Sequence, residues 1–216
     1  MNDTSGAAPS RADAGTATRA ELLAAARKAF AVKGFDGASI RGITREAGAN
    51  LGAVTYHFGS KDALYAAVLE DGLRPLAARV QEAVASAGSA RERMLRVVRA
   101  YWAHFEVHPD LPRLLLQEVA AGKPPPPVVL EILIGMKEAI AGLHVEGTED
   151  GSVRTGHSVL TALSVISQPI YLTLVAPMLR TFAEVDLADP AMRDIAIEHV
   201  VAFVRAGLEP HPEIPS

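Results

Sequence analysis

Between residues 39 and 64 the sequence SIRGITREAGANLGAVTYHFGSKDAL places short apolar helical repeats on either side of a glycine. Ile40, Ile43 and Ala47 recur at the spacing of one helical face, which predicts a short helix with a buried side. Gly48 follows at the point where a tight turn between two steeply crossed helices needs a residue that tolerates positive φ. The pattern therefore predicts a helix and a turn that reverses the chain into a second helix.

The second helix of this segment is predicted to bury one side and expose the other. Asn50 is expected to cap it by accepting hydrogen bonds from unpaired amides. Val54 and Phe58, one turn apart, are expected to point inward, although Val54 also adjoins the outer face. Small, polar and aromatic side chains suit contact with the floor of a DNA major groove, so the segment is interpreted as a helix-turn-helix. The residues expected to be partly or wholly outward are Leu51, Ala53, Thr55, Tyr56 and His57.

This segment resembles the TetR family of bacterial transcriptional repressors. The family run is roughly a Gly-Val-Ser turn, then Gly-Thr-(Leu/Val)-Tyr-(His/Tyr)-(His/Tyr)-Phe, then Ser-Lys-(Glu/Asp)-x-Leu. Here it reads Gly48-Ala49-Asn50, then GAVTYHF over residues 52–58, then SKDAL over residues 60–64. Upstream, AAARKAF over residues 24–30 and KGFDG over residues 33–37 are similar to the family's first helix and its following turn. The resemblance covers about a quarter of the chain and departs at Leu51 and Thr55, where the family often has a cation and a tyrosine.

The resemblance and the residue types together predict the contacts with DNA. By the resemblance, Arg41 reaches base edges or phosphate and Arg45 reaches phosphate. Lys61 is expected to grip phosphate together with amides at the start of its helix. The predicted roles of the remaining residues are phosphate contact for Tyr56 and His57 and base contact for Ala53, Val54 and Thr55. The predicted DNA-binding residues are Arg41, Arg45, Asn50, Leu51, Ala53, Thr55, Tyr56, His57 and Lys61.

Composition favours packed helices and a reducing compartment. Aromatic residues make up 5% of the chain, Ala, Leu and Val are abundant, and no stretch alternates like a strand between hairpin turns. The absence of cysteine excludes disulfides, thiolate zinc sites and a cysteine nucleophile, and it fits a cytoplasmic location. The net charge of −4 is unevenly distributed along the chain, because residues 1–65 contain eight basic and six acidic side chains. A mildly basic head on an acidic body favours directed contact with phosphates.

The chain is predicted to be all-α, with a flexible arm over residues 1–16, a helix-turn-helix domain over 17–64 and a helical effector-binding and dimerisation domain over 65–210. The first helix is predicted over about residues 18–33 and is expected to end at Gly34. Pro75 is expected to kink or restart the fourth helix. Ser89 and Glu92 resemble a capping box. Further helices are predicted over residues 89–107, 111–121, 128–142, 157–182 and 190–206, with a loop over 147–156.

Residues 158–179 contain no charged side chain, which raises the alternative of a membrane span. The Ser, Thr, Gln and Pro residues within the segment and the lack of a strongly basic flank argue against a span. The preferred interpretation is a helix buried on nearly every side, which implies a partner subunit. The TetR resemblance implies the same homodimer, built from the last two helices of each subunit. The candidate interface residues are Leu160, Leu163, Ile170, Leu174, Ile195, Val200 and Phe203.

The resemblance also implies a small-molecule effector held among the central helices. Apolar and aromatic side chains with a few polar anchors are typical of such a chamber, and the sparse charge favours an uncharged or amphipathic ligand. Ordinary core packing is the alternative for each residue. The candidate lining consists of Tyr101, Trp102, Phe105, Gln117, Met136, Gln168 and Tyr171.

No catalytic or cofactor site is predicted. His104 and His108 have the spacing of two metal ligands on one helix face, but no third ligand adjoins them, so a hydrogen-bonded or solvated pair is favoured. His57 has no acidic partner or nucleophile at usable spacing. The TetR resemblance implies a homodimeric repressor that an effector releases from a palindromic operator, with activation or corepression as the alternatives. The rivals are an enzyme carrying a helix-turn-helix-like motif and an architectural DNA-binding protein, which the small number of cations disfavours.

Overall fold

The computed structural model describes residues 11–122 and 124–210, and within them the chain forms helices and no strand, which confirms the all-α prediction. The chain divides into two compact units, Met1–Glu70 and Asp71–Ser216, so that the division falls inside the fourth helix. The helices are α1 (Arg11–Gly37), α2 (Ile40–Glu46), α3 (Ala53–Phe58), α4 (Lys61–Ala85), α5 (Ala90–Val107), α6 (Leu111–Ala121), α7 (Pro127–Glu149), α8 (Ser158–Phe182) and α9 (Pro190–Leu208).

The first unit is built on α1 and an aromatic cluster. Leu22, Ala26 and Phe30 of α1 are completely buried, as their helical spacing predicts. The ring of Phe30 meets that of Tyr65 edge to face, with centroids 4.8 Å apart. Gly34 breaks the helical geometry with φ 71° and ψ 176°, where the helix was expected to end. Of the predicted flexible arm, residues 1–10 lie outside the described residues. Residues 11–16 are helical, so that part of the prediction is wrong.

The second unit is centred on α5, which packs against α7, α8 and α9. The predicted capping box is confirmed: the Ser89 hydroxyl accepts from the Glu92 amide at 3.3 Å, and the Glu92 carboxylate accepts from the Ser89 amide at 2.9 Å. The helix ends at His108, as predicted from His108-Pro109. His104 is buried, and its Nε2 donates to the Gly72 carbonyl of α4 at 2.9 Å. The prediction that His104 is hydrogen-bonded is therefore confirmed.

Of the two alternatives predicted at Pro75, the restart is wrong, and the predicted end of α7 is also wrong. Helix α4 runs from Lys61 to Ala85 without restarting, although Pro75 lies inside it. The Asp71 carbonyl, which would accept from residue 75 in a regular helix, loses only that one donor. Helix α7 continues to Glu149 instead of ending near residue 142. Gly147 is buried, and a β-carbon there would approach Val153 to 2.5 Å, so packing against the following loop holds the last turns in place. The boundaries predicted for α6 and for the start of α7 are confirmed.

Helix α8 is apolar but largely uncovered within one chain. Its buried residues are Ala162, Val165 and Pro169. By length and composition it could cross a membrane, with a mean hydropathy of 1.7 over its most apolar window. Within a single chain α8 is therefore not buried on nearly every side, and the predicted burial depends on the partner subunit that the prediction included. A soluble protein rarely leaves a continuous apolar face this large uncovered.

Candidate nucleic-acid interface

Helix α2 and its turn fix the orientation of the helix that follows. The Ser39 hydroxyl caps α2 by accepting from the Gly42 amide at 3.1 Å. Ile43 and Thr44 are buried on the inner side. Gly48 adopts φ 62°, as predicted for the turn, and the next amide donates back to the Thr44 carbonyl at 2.8 Å. A side chain at Gly48 would strain this left-handed conformation, so the turn depends on glycine.

The start of α3 differs from the sequence prediction in two ways. The helix is preceded by Gly52 at the capping position, with no side-chain cap, so the predicted cap by Asn50 is wrong. The Asn50 backbone carbonyl instead accepts from the Ala53 amide at 3.1 Å. Ala53 was expected to face outward, but it is 7% exposed and belongs to the core beside Val54. Because α3 is only six residues long, few of its positions can face outward. Ala53 packs into the core of the first unit instead.

The outer face of α3 and Leu51, which lies two residues before the helix, form an exposed surface. Leu51 is 55% exposed and Tyr56 is 85% exposed, while Thr55 is also exposed and His57 is half-buried. The rings of Tyr56 and His57 meet edge to face at 4.8 Å. A large aromatic side chain with this exposure is unusual in a core-forming helix. The surface therefore offers a hydroxyl, an imidazole, a phenol and an apolar side chain to a partner outside the chain.

Basic side chains flank this surface. Arg41 and Arg45 are exposed on α2, and in the described part of the chain no carboxylate pairs with either. Lys61 opens α4, and its Nζ lies 4.5 Å from the centroid of the Phe35 ring. The Ser60 hydroxyl accepts from the Ala63 amide at 3.1 Å in the first turn of the same helix. A helix N-terminus with an adjacent lysine is suited to an anion such as a phosphate.

The one acidic residue of α2 is neutralised within the unit. Glu46 accepts a hydrogen bond from Lys28 of α1 at 2.7 Å. The hydrogen bond and the charge of Lys28 lower the pKa of Glu46, and the same contacts raise the pKa of Lys28. Glu46 therefore adds little negative charge beside the two arginines.

Sequence reasoning missed one cation at this surface. The Arg19 guanidinium carbon lies 5.0 Å from the centroid of the Phe58 ring, at the end of α3. Arg19 is exposed, and among the described residues no acidic side chain pairs with it. Arg19 lies before the apolar stripe of α1, so no periodic pattern in the sequence marks it. Its contact with Phe58 forms only in the folded structure.

Comparison with known proteins agrees with this geometry. The family described as bacterial regulatory proteins, tetR family, matches residues 22–68. The family described as tetracyclin repressor-like, C-terminal domain, matches residues 91–204, which is more than half of the chain. The chain belongs to the TetR family of bacterial regulatory proteins.

Individual proteins support the fold along most of the chain and the sequence match over part of it. The transcriptional repressor AcnR of Corynebacterium diphtheriae is 36% identical over 90 residues, covering 42% of this chain and 43% of AcnR. The matched region thus spans less than half the length of that relative. A tetR-family regulatory protein from Rhodococcus RHA1 superposes with a TM-score of 0.74 and 20% identity, covering 90% of this chain and 98% of that one. FadR of Bacillus subtilis, solved with stearoyl-CoA, superposes at 0.67 with 15% identity, covering 88% and 98%.

The candidate effector residues of this TetR-family chain differ in burial. Tyr101, Trp102, Phe105 and Met136 are buried, Gln117 and Gln168 are half-buried, and Tyr171 is 61% exposed on α8. Burial raises the pKa of the Tyr101 hydroxyl far above its usual range. Trp102 Nε1 and Gln117 Oε1 are buried, and within residues 11–122 and 124–210 neither has a hydrogen-bond partner. Tyr171, by contrast, does not share the buried environment expected of a chamber wall.

The candidate interface residues also separate into two groups. Four are exposed large apolar side chains, two on α8 and two on α9, with exposures from 50% to 62%. Ile170 and Leu174 are half-buried, and Val200 is buried in the core behind the surface. The exposed four are Leu160, Leu163, Ile195 and Phe203.

Proposed function

We propose that this protein is a homodimeric, sequence-specific transcriptional repressor, released from a near-palindromic operator by a small-molecule effector. The observation that carries the proposal is the exposed outer face of α3, flanked by cations that form no salt bridge within the described residues. Such a face, presented by the second helix of a helix-turn-helix, fits the major groove. The relatives named AcnR, which are repressors, support the same activity for the matched region.

In the proposed complex, backbone contacts position α3 and a few side chains read bases. Arg45, Lys61 and Arg19 bind phosphates, with Arg41 at phosphate or a base edge. Tyr56 and His57 donate to phosphates. Thr55 and Leu51 lie against bases, where apolar atoms meet thymine methyl groups. The burial of Ala53 restricts it to a supporting role, because its small side chain lets α3 approach the groove.

The dimer is proposed to form through α8 and α9. Each helix carries large apolar side chains that the single chain leaves in solvent, including Tyr171, Met178 and Phe182 on α8. A second copy of the same surface would cover them in a two-fold interface. This proposal also accounts for the apolar length of α8 without a membrane, and it places the protein in the cytoplasm.

The effector is proposed to bind in the second unit near Tyr101, Trp102, Phe105 and Met136. Buried donors and acceptors without partners are rare in native proteins, because each costs about 1–3 kcal/mol. A ligand carrying its own acceptor and donor would satisfy Trp102 Nε1 and Gln117 Oε1. The stearoyl-CoA bound to FadR offers a precedent in a protein of this fold. By linkage, such a ligand lowers the affinity for DNA by the same factor by which bound DNA lowers the affinity for the ligand. The coupling free energy is commonly about 1–3 kcal/mol.

The test is selection of random genomic fragments by the purified full chain. We expect enrichment of a few sites that contain two related half-sites, and loss of enrichment when Tyr56 is replaced by alanine. Val32→Ala is the matched control, because Val32 is 72% exposed on α1 and has no proposed DNA role. Enrichment of all fragments alike would point to an architectural protein. No retention of any fragment, with or without candidate effectors, would contradict the proposal.

A further inference from the structure

A buried histidine in the second unit has an unpartnered nitrogen that neither DNA binding nor the proposed effector chamber uses. His144 lies on α7 and is 2% exposed. Its Nε2 is buried and makes no hydrogen bond to any of the residues that the structure describes. An imidazole nitrogen left dry and unpaired costs free energy that a bound group would recover. The surroundings of Nε2 therefore indicate what that group is.

The unpartnered nitrogen lies under Gly156, just before the start of α8. A β-carbon built on Gly156 would sit 3.6 Å from His144 Nε2 and 3.7 Å from the Thr161 hydroxyl oxygen. His144 Nε2 and the Thr161 hydroxyl oxygen therefore border the same side of Gly156. Gly156 is exposed, and the absence of a side chain leaves the approach to the imidazole uncovered except by the glycine backbone.

Gly156 lies two residues before a helix start that no side chain caps. The residue before α8 is His157, and no side chain caps the first turn. The amides of residues 155–157 donate no backbone hydrogen bond within the described residues. The free amides at the start of a 25-residue helix carry partial positive charge and favour an anion. The Asp150 carboxylate, in the same loop, accepts from the Ser152 amide at 2.7 Å.

We propose that His144 Nε2, the Thr161 hydroxyl and the first amides of α8 form a binding site for a small oxyanion, a carboxylate or a phosphate group. The imidazole tautomer with its proton on Nε2 donates to one oxygen of the anion, and the hydroxyl and the helix amides donate to the others. Entry requires an outward shift of the segment around Gly156, since Nε2 is closed to solvent as it stands. The site is separate from the helix-turn-helix, so it stands independently of DNA binding.

The experiment is a titration of the full chain, labelled with ¹⁵N, with inorganic phosphate, with acetate, and with chloride at matched ionic strength. Nuclear magnetic resonance reports the His144 side-chain nitrogens and the amides at the start of α8. We expect saturable shifts of both groups of signals with phosphate or acetate and none with chloride. Saturation with phosphate alone identifies a phosphate-bearing ligand, and saturation with acetate alone identifies a carboxylate.

Two variants and a control assign the shifts to the site. Gly156→Ala adds a methyl group 3.6 Å from His144 Nε2 and 3.7 Å from the Thr161 hydroxyl oxygen, where it would crowd a bound anion. His144→Phe keeps a ring without the donor. Each is expected to weaken anion binding about tenfold or more, the loss typical of a hydrogen bond to a charged group. Gly142→Ala is the matched control, since a β-carbon there meets nothing within 4 Å, and it should leave binding unchanged. Shifts absent for both anions, or unchanged in Gly156→Ala, would overturn the proposal and leave His144 with a bound water at most.

Discussion

At the level of single residues, replacing Lys61 distinguishes a phosphate contact from a base contact. A lysine that neutralises a phosphate contributes the same free energy to every DNA sequence, because the phosphate backbone does not vary. We expect Lys61→Ala to weaken binding to operator and random DNA about equally. It should also reduce the slope of log affinity against log salt by about one unit, the effect of one lost phosphate contact. Titration by fluorescence anisotropy at several salt concentrations measures both.

Two further variants make this result specific. Lys137→Ala removes a lysine from α7 in the second unit, where Lys137 pairs with Glu138, and should leave affinity and slope unchanged. Thr55→Ala should alter preference at one or two operator positions while keeping the slope. An unchanged slope in Lys61→Ala would show that Lys61 has no phosphate contact.

Single residues also show which features of the candidate site could be predicted from the sequence and which could not. The positive φ of Gly48 was predictable because the turn leaves no alternative to glycine. The burial of Ala53 was not, since the inner and outer faces of a helix of six residues differ by one position of register. The place of Arg19 at this surface was not predictable for another reason, because its contact with Phe58 joins residues 39 positions apart in the chain.

At the scale of the element, the capping box of α5 should contribute measurably to stability. The Ser89 hydroxyl and the Glu92 carboxylate satisfy two amides that a helix start otherwise leaves open. We expect Ser89→Ala to lower the free energy of unfolding by about 1 kcal/mol, measured by urea denaturation. Thr148→Ala is the control, because the Thr148 hydroxyl only donates to the Val145 carbonyl within α7. Equal stability of the two variants would contradict the capping role.

The ion pair between α5 and α9 should make stability depend on pH. Both guanidinium nitrogens of Arg99 reach the Glu198 carboxylate, at 2.8 and 3.0 Å. This hydrogen bonding lowers the pKa of Glu198 from its usual 4.5. The stabilisation is therefore fully present above the usual pKa and is lost as the pH falls through the lowered value.

Urea denaturation between pH 3 and pH 7 measures this dependence. Glu198→Gln should be less stable than the wild type at neutral pH, and the difference should vanish in acid. Glu82→Gln, at an exposed position of α4 with no cation partner among the described residues, should show no such convergence. A pH-independent difference for Glu198→Gln would contradict the ion-pair account.

Most helix boundaries followed from local chemistry, and the exceptions have tertiary causes. Proline and histidine at the end of α5, and Pro127 at the start of α7, act through the backbone of their own turn, so the sequence was enough. The last turns of α7 depend on Gly147 packing against Val153, which local signals do not encode. Pro75 removes one hydrogen-bond donor from a long helix, and the remaining turns of α4 hold the helix together.

At the scale of the whole molecule, the exposed apolar side chains of α8 and α9 predict dimerisation. We expect Ile195→Glu to weaken self-association at least about tenfold, because it would place a charge in the buried interface. Sedimentation equilibrium measures the change. Val119→Glu is the matched control, since Val119 is 77% exposed on α6, outside the proposed interface, and should leave the dimer intact. A monomeric wild type at micromolar concentration would contradict the dimer directly.

The residues of the dimer surface and of the effector chamber were the hardest to predict from the sequence. Apolar residues of an interface and of a core have the same composition and the same helical spacing, so Val200 and Phe203 looked alike. Only their burial separates them, with Val200 in the core and Phe203 in solvent. Tyr171 was assigned to the chamber for the same reason, although its exposure places it with the uncovered face of α8.

The most direct test of the central claim, that a dimer reads a specific site through α3, is hydroxyl-radical footprinting on an operator recovered by fragment selection. We expect two protected half-sites with inverted sequence symmetry. Their centres should lie about one helical turn, or a small multiple of it, apart on one face of the DNA. A single unsymmetrical footprint, or uniform protection along the fragment, would contradict the account.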